Sequence, residues 1–157
     1  MSKIGFGIIC LSFVFVLSSC GLASWKPDMR GRVPKIFPIK SLLYSEARFG
    51  QCAVNVFELD PLFQNDFKFS DLDDDTALND VYEVWKRTPM KGMFPLHSRG
   101  DLTIKLAKYC FKENEKYLEL VSRYKALSGA FFTYKEPGDV VLIYVKDENL
   151  LFVLETD

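Results

Sequence analysis

The densest group of side chains able to do chemistry is acidic. Asp71, Asp73, Asp74 and Asp75 stand almost consecutively, with Asp80 close behind. The alternation Asp71-x-Asp73-x-Asp75 begins like a calcium loop, in which alternate carboxylates converge on a hard cation. The match then ends. The sixth position is Thr76 where the turn needs glycine, and the twelfth is Tyr82 where a bidentate glutamate is required. A solvated loop is the plain reading of this cluster, and an acidic contact surface for a basic partner is the sharper one. His97 is the single histidine, so a metal site built on two or three imidazoles is impossible within one chain. His97-Ser98 and Asp101 are triad residue types, but neighbours in sequence rarely reach triad geometry, and the strained Gly-x-Ser-x-Gly elbow is missing. Arg99-Gly100-Asp101 reads as turn chemistry ahead of a strand. Glycine-rich phosphate loops and paired zinc-ligand motifs are not found. No catalytic residue, metal or cofactor is assigned, and the expectation is a protein that is not an enzyme.

Bulk properties narrow the partners. Of 157 residues, 48% are hydrophobic and 26% charged, with 20 Lys+Arg against 21 Asp+Glu. Such a chain is globular rather than disordered, and one domain is the natural size. A formal net charge of −1 supplies no field for gathering nucleic acid, and no local basic patch replaces it.

The first segment reads as an address. Lys3 precedes an apolar run from Ile4 to Leu17, too short for the roughly 20 residues of a permanent spanning helix but suited to an export signal. The junction Leu17-Ser18-Ser19-Cys20 resembles the lipobox of bacterial lipoproteins, in which the small residues fit the signal peptidase and the cysteine sulfur receives diacylglycerol. The resemblance implies cleavage before Cys20, acylation of that residue and membrane attachment through its lipid. Gly21, in place of the aspartate that marks inner-membrane retention, implies an outer-membrane lipoprotein facing the periplasm. Removing residues 1–19 leaves 138 residues, enough for one true core.

With Cys10 discarded and Cys20 acylated, Cys52 and Cys110 remain. In an oxidising periplasm two remaining thiols are most simply one disulfide, separated core thiols being the alternative. No Cys-x-x-Cys redox motif is present.

The elements that must position these residues follow from periodicity. Pro27, Pro34 and Pro38, with Lys26, Arg30, Arg32 and Lys35, make residues 20–38 read as a tether carrying the lipidated cysteine, so the globular domain is expected over 39–157. Cys52, Val54 and Val56 alternate within a strand, as do Phe67 and Phe69. Residues 76–87 fit either a helix capped by Asp75 or a strand from Asp80, and β-branched and aromatic content favours the strand. Trp85, with Tyr82, Phe94 and Tyr44, offers either an interface anchor or core, and core comes first. Leu102, Ile104 and Leu106 alternate on the way to Cys110. Tyr117, Leu120, Val121, Tyr124 and Leu127 share a helical face, although a strand also fits 117–124. Runs at 130–134, 140–145 and 150–154 read as strands separated by the turn sequences 136–139 and 146–149. Short strands at this spacing predict an all-β sandwich, with α+β, one or two helices on an antiparallel sheet, as the alternative.

The layout over residues 50–157, with Cys52 in an early strand, Cys110 late and Tyr117-Leu118-Glu119-Leu120 soon after, resembles the type VI secretion immunity lipoproteins of the periplasm. That resemblance implies an immunoglobulin-like antiparallel β-sandwich and a cognate toxin as partner, bound and neutralised without catalysis. Asp71, Asp73, Asp74 and Asp75 are the expected contact residues. A pilotin-like lipoprotein that escorts an envelope component is the alternative role.

Overall fold

Two uninterrupted apolar runs near the C-terminus set the architecture. Val140–Val145 and Leu150–Glu155 are adjacent strands, and all but Glu155 of their residues are buried. Side chains alternate between faces along a strand, so an unbroken apolar run means that the sheet is covered on both sides. The computed structural model describes residues 26–48, 50–66, 82–90, 99–135 and 138–156. The expected strand at Phe67 and Phe69 lies outside these residues.

In chain order the elements are β1 (Ile39–Arg48), β2 (Cys52–Leu59), a short α1 (Pro61–Asp66), β3 (Lys86–Arg87), α2 (Gly100–Cys110), α3 (Glu115–Ala126), β4 (Phe131–Lys135), β5 (Val140–Val145) and β6 (Leu150–Glu155). The six strands among the described residues join one open antiparallel sheet in the order β1-β2-β6-β5-β4-β3. The described residues are therefore mostly β with a few helices, and their strands supply no second sheet.

On one face, Val54, Val56, Val141, Ile143, Phe152 and Leu154 pack with Ile104 and Ala107 of α2 and Tyr117, Leu120, Val121 and Tyr124 of α3. On the other, Phe57, Leu59, Leu142, Tyr144, Leu151 and Val153 are covered by Met29, Phe37, Tyr82 and Trp85. Trp85 is thus core, 5.4 Å from the Phe37 ring by centroids. The three expected C-terminal strands are present, shifted by at most one residue.

Three sequence expectations change. Residues 102–106 are helical, not a strand: the buried set Thr103, Ile104, Ala107 and Cys110 follows helical spacing, whereas Leu102 is exposed. Leucine, lysine and alanine here are also good helix formers. In the 76–87 region the described part pairs only at Lys86 and Arg87, opposite Phe132 and Phe131. Ahead of that pair, Glu83 N–H donates to the Tyr134 carbonyl, so the chain is extended beside β4 without forming a long strand. Residues 26–38, expected as tether, instead lie on the sheet, with Met29 and Phe37 buried and a 3₁₀ turn at Arg30–Arg32.

The open choice at 117–127 resolves as helix. Asn114 accepts from Tyr117 N–H at its start, Glu115 lies in the first turn, and Arg123 and Lys125 in the last, complementing the dipole. Leu127 leaves the expected apolar face and is 59% exposed because the helix stops at Ala126.

The β4–β5 turn abuts α2. Thr103 Oγ1 donates to the Gly138 carbonyl at 2.7 Å, and a Cβ on Gly138, whose φ is +98°, would collide with the Gly100 backbone nitrogen. Gly50, at φ +66°, has open space around it. Gly138→Ala should therefore lower stability by about 2–3 kcal/mol and Gly50→Ala by about 1 kcal/mol, since only the former adds a backbone collision to left-handed strain. Urea midpoints of the two variants check the order; equal midpoints would remove the collision from the account.

Candidate functional site

The described residue with the most unusual surroundings is Asn55. It points from β2 into the strap-covered face and is fully buried. A buried amide needs partners, and here they are backbone groups of the N-terminal strap together with the Val54 carbonyl and the Ser45 hydroxyl of the sheet. Its Oδ1 accepts the Met29 N–H at 3.1 Å, and its Nδ2 donates to the Pro27 carbonyl at 3.0 Å. Ser45 on β1 donates its hydroxyl to the same carbonyl at 2.9 Å. Two strands thus grip the strap at Pro27, and leaving Asn55 without these partners would carry the desolvation cost of a buried polar group, about 1–3 kcal/mol.

A few residues on, the strap is held at the end of the sheet. Tyr82 donates its hydroxyl to the Arg32 carbonyl at 2.7 Å, and Arg32 Nη2 meets Glu155 Oε1 of β6 at 2.6 Å. Between these two fastenings lies an open depression lined by Pro27, Asp28, Met29, Gly31, Arg32 and Glu155. Arg30 pairs with Asp28 across its rim at 3.1 Å. The lining carries one cation, Arg32, and two carboxylates, Asp28 and Glu155, and Arg30 at the rim balances them. Burial, partly offset by the Arg32 charge, pushes the Tyr82 phenol up to about 12, and burial with the nearby Asp147 carboxylate pushes Tyr144 to about 12.

The opposite, helical layer is fixed differently. Cys52 at the start of β2 and Cys110 at the end of α2 form a disulfide, with Cα atoms 6.2 Å apart. Tyr44 donates its hydroxyl to the Cys110 carbonyl at 2.7 Å and stacks on Phe111, locking β1 to the same corner. Asp101 receives Lys105 and Lys125, and these two ammonium groups hold its carboxyl below the ordinary carboxylate range while joining α2 to α3. The outer side of α2 leaves Leu102 and Tyr109 exposed, with the Lys108 ammonium 4.9 Å from the Tyr109 ring centroid.

Of the residues singled out from sequence, the structure brings Cys52 and Cys110 together. Cys20, Asp71, Asp73, Asp74, Asp75, Phe94 and the His97-Ser98 pair lie outside the described residues. Asp101, the third triad type, is engaged by lysines, and Arg99-Gly100-Asp101 opens a helix instead of preceding a strand. Sequence reasoning missed the strap grip. Met29, Val33, Ile36 and Phe37 were its only apolar signal, and nothing in an alternating strand marks Asn55 as a clamp.

Among the described residues no group of three metal-ligating side chains gathers, and no helix is long and apolar enough to cross a membrane. Comparison with known proteins returned no match among family models, curated proteins or solved structures.

Two expectations follow. The disulfide closes a separation of 58 residues. Reduction should therefore lower stability by about 4 kcal/mol through denatured-state entropy, read as a shift of the denaturant midpoint between oxidised and reduced samples. Tyr82 and Tyr144 keep their protons in the folded state to about 12 but lose them near 10 when unfolded. Their raised values leave stability intact below pH 10 and erode it progressively between 10 and 12. Tyrosinate absorbance should show two late-titrating phenols, one of which disappears in Tyr82→Phe.

Proposed function

We propose that this chain is a lipid-anchored periplasmic binding protein of the outer membrane, an immunity protein that neutralises a type VI secretion effector by occluding it. The observation that carries the reading is the Cys52–Cys110 disulfide. A staple between β2 and α2 suits a compartment that keeps thiols oxidised, and the lipobox-like Leu17-Ser18-Ser19-Cys20 supplies an address to such a compartment. The remaining chemistry agrees. A sheet covered on both faces and fastened at two corners gives a stable, pre-organised body, which is what an inhibitor that binds without reacting requires.

We assign the architecture as α+β, with α2 and α3 on one face of the antiparallel sheet, in preference to an immunoglobulin-like sandwich. The packing of both helices into one apolar cluster with the sheet supports this choice.

For the contact surface we propose Asp71, Asp73, Asp74 and Asp75, whose concentration of negative charge suits a basic partner and would act mainly on association rate. Two measurements test the function. Expression of the full chain should rescue cells from the secreted product of the adjacent gene, and Cys20→Ser should lose both the acyl mass and the rescue. Reversing Asp71, Asp73 and Asp75 to lysine should slow capture of the toxin at least tenfold at low salt, an effect that screening removes. Absence of both rescue and partner would end the immunity reading. Loss of a surface machine on deletion, with no sensitivity to sibling cells, would assign the pilotin-like role instead.

A further inference from the structure

The strap places a cationic surface next to the proposed anchor. Lys26, Arg30, Arg32 and Lys35 are all exposed, and residues 26–38 carry four cations against the single carboxylate of Asp28, a net +3. Arg30 and Arg32 meet Asp28 and Glu155 in ion pairs that are half open to solvent. Such pairs contribute little and exchange readily for another anion. Lys26 and Lys35 make no ion pair among the described residues. Position matters as much as charge. Lys26 is only six positions after Cys20, and a fully extended chain of that length spans about 20 Å. Because Pro27 and Met29 are clamped by Asn55 and Ser45, the strap cannot pay out more chain without breaking the grip. A lipid on Cys20 would therefore hold this layer, and not a remote part of the domain, within reach of the headgroups.

We propose that the cationic rim of the strap, Lys26, Arg30, Arg32 and Lys35, rests on anionic lipid headgroups beside the acylated cysteine, so that the strap side of the sheet faces the membrane and α2 and α3 face away. The inference rests on the anchored reading above and adds an orientation to it. The helical layer is the rival surface. Residues 99–126 hold seven cations against four carboxylates, also a net +3. There the charge is spread over about twice the chain length and begins far from Cys20 in sequence, and the strap keeps a net +2 even when Glu155, the partner of Arg32, is counted with it. Proximity to the anchor and charge density favour the strap, since polybasic attraction falls off within a Debye length of the surface.

The test is a lysine footprint on the full acylated chain reconstituted into vesicles. One set contains phosphatidylglycerol, the other phosphatidylcholine alone, and labelling by an amine-reactive reagent is read peptide by peptide in a mass spectrometer. Lys26 and Lys35 should label about fivefold more slowly on the anionic vesicles, with half-molar salt restoring the rate, while Lys105 and Lys108 label equally on both. Equal rates at Lys26 and Lys35 on the two vesicles overturn the proposal. Selective protection of Lys105 and Lys108 overturns it too, by placing the helices on the lipid. The Cys20 peptide in the same digest separates the two levels of the argument. Acyl mass with unprotected strap lysines rejects the orientation alone, whereas a missing acyl mass rejects the anchored reading and the orientation that rests on it.

Discussion

A sheet that is apolar on both faces cannot stand in water. β5 and β6 leave no face polar, and this constraint governs the rest of the chain. Two covers are needed, and the sequence supplies them from different material. Amphipathic helices α2 and α3 close one side with Ile104, Ala107, Leu120, Val121 and Tyr124. The other is closed by pieces with little regular structure of their own: the strap with Met29 and Phe37, and the extended stretch with Tyr82 and Trp85. An irregular cover brings unpaired backbone groups onto an apolar surface, so each must find a partner. Asn55, Ser45 and Tyr82 provide those partners, which explains polar side chains at these points in an otherwise apolar layer.

The two covers are secured by different chemistry because they fail in different ways. A helix satisfies its own backbone, and its hold on a sheet is mainly area and shape. The disulfide and the Tyr44 hydroxyl pin the C-terminal end of α2 to β2 and β1, while the Asp101 cluster ties α2 to α3. The strap has only two short turns of its own, the 3₁₀ turn at Arg30–Arg32 and the turn closed by Phe37 N–H on the Pro34 carbonyl, so hydrogen bonds from the sheet into its backbone do the equivalent work. Burial on this face raises the phenols of Tyr82 and Tyr144.

What was legible in the sequence follows from where the physics is local. β5 and β6 were readable because unbroken apolar runs of strand length follow turn sequences at 136–139 and 146–149. The Cys52–Cys110 pairing was readable because the remaining thiols could be counted. Helix α3 was half readable: Tyr117, Leu120, Val121 and Tyr124 mark a helical face, yet the same residues tolerate a strand. Helix α2 was misread since Leu102, Ile104 and Leu106 alternate by coincidence. Which of them is buried depends on a sheet whose contacts with this helix span separations of 58 and 66 residues, and no window over 102–110 contains that information. The strap was missed for a related reason. Its prolines describe a chain that cannot form helix or ladder, and they are silent on whether such a chain hangs free or lies in a groove. The acidic group at 71–75 and the junction at Cys20 were the clearest chemical signals, and both lie outside the described residues.

One consequence joins the fold to the proposed role. In the anchored reading the strap has two tasks, covering the sheet and leading to the lipid, and these tasks bear on each other. A free tether would let the domain diffuse over a hemisphere and present any face to a partner. A strap gripped at Pro27 and packed through Phe37 would do neither, because the chain between lipid and clamp is only a few residues long.

 A force on the anchor would be felt at Asn55 and Tyr82, inside the second core, rather than being absorbed by slack. Immobilisation of this kind lowers the orientational cost of meeting a partner that arrives at the same membrane, since part of the ordering has been done before the encounter. The same coupling sets a limit on design of the chain. An insertion between Pro27 and Phe37 would shift the clamp, the Arg32–Glu155 pair and the Phe37–Trp85 contact together.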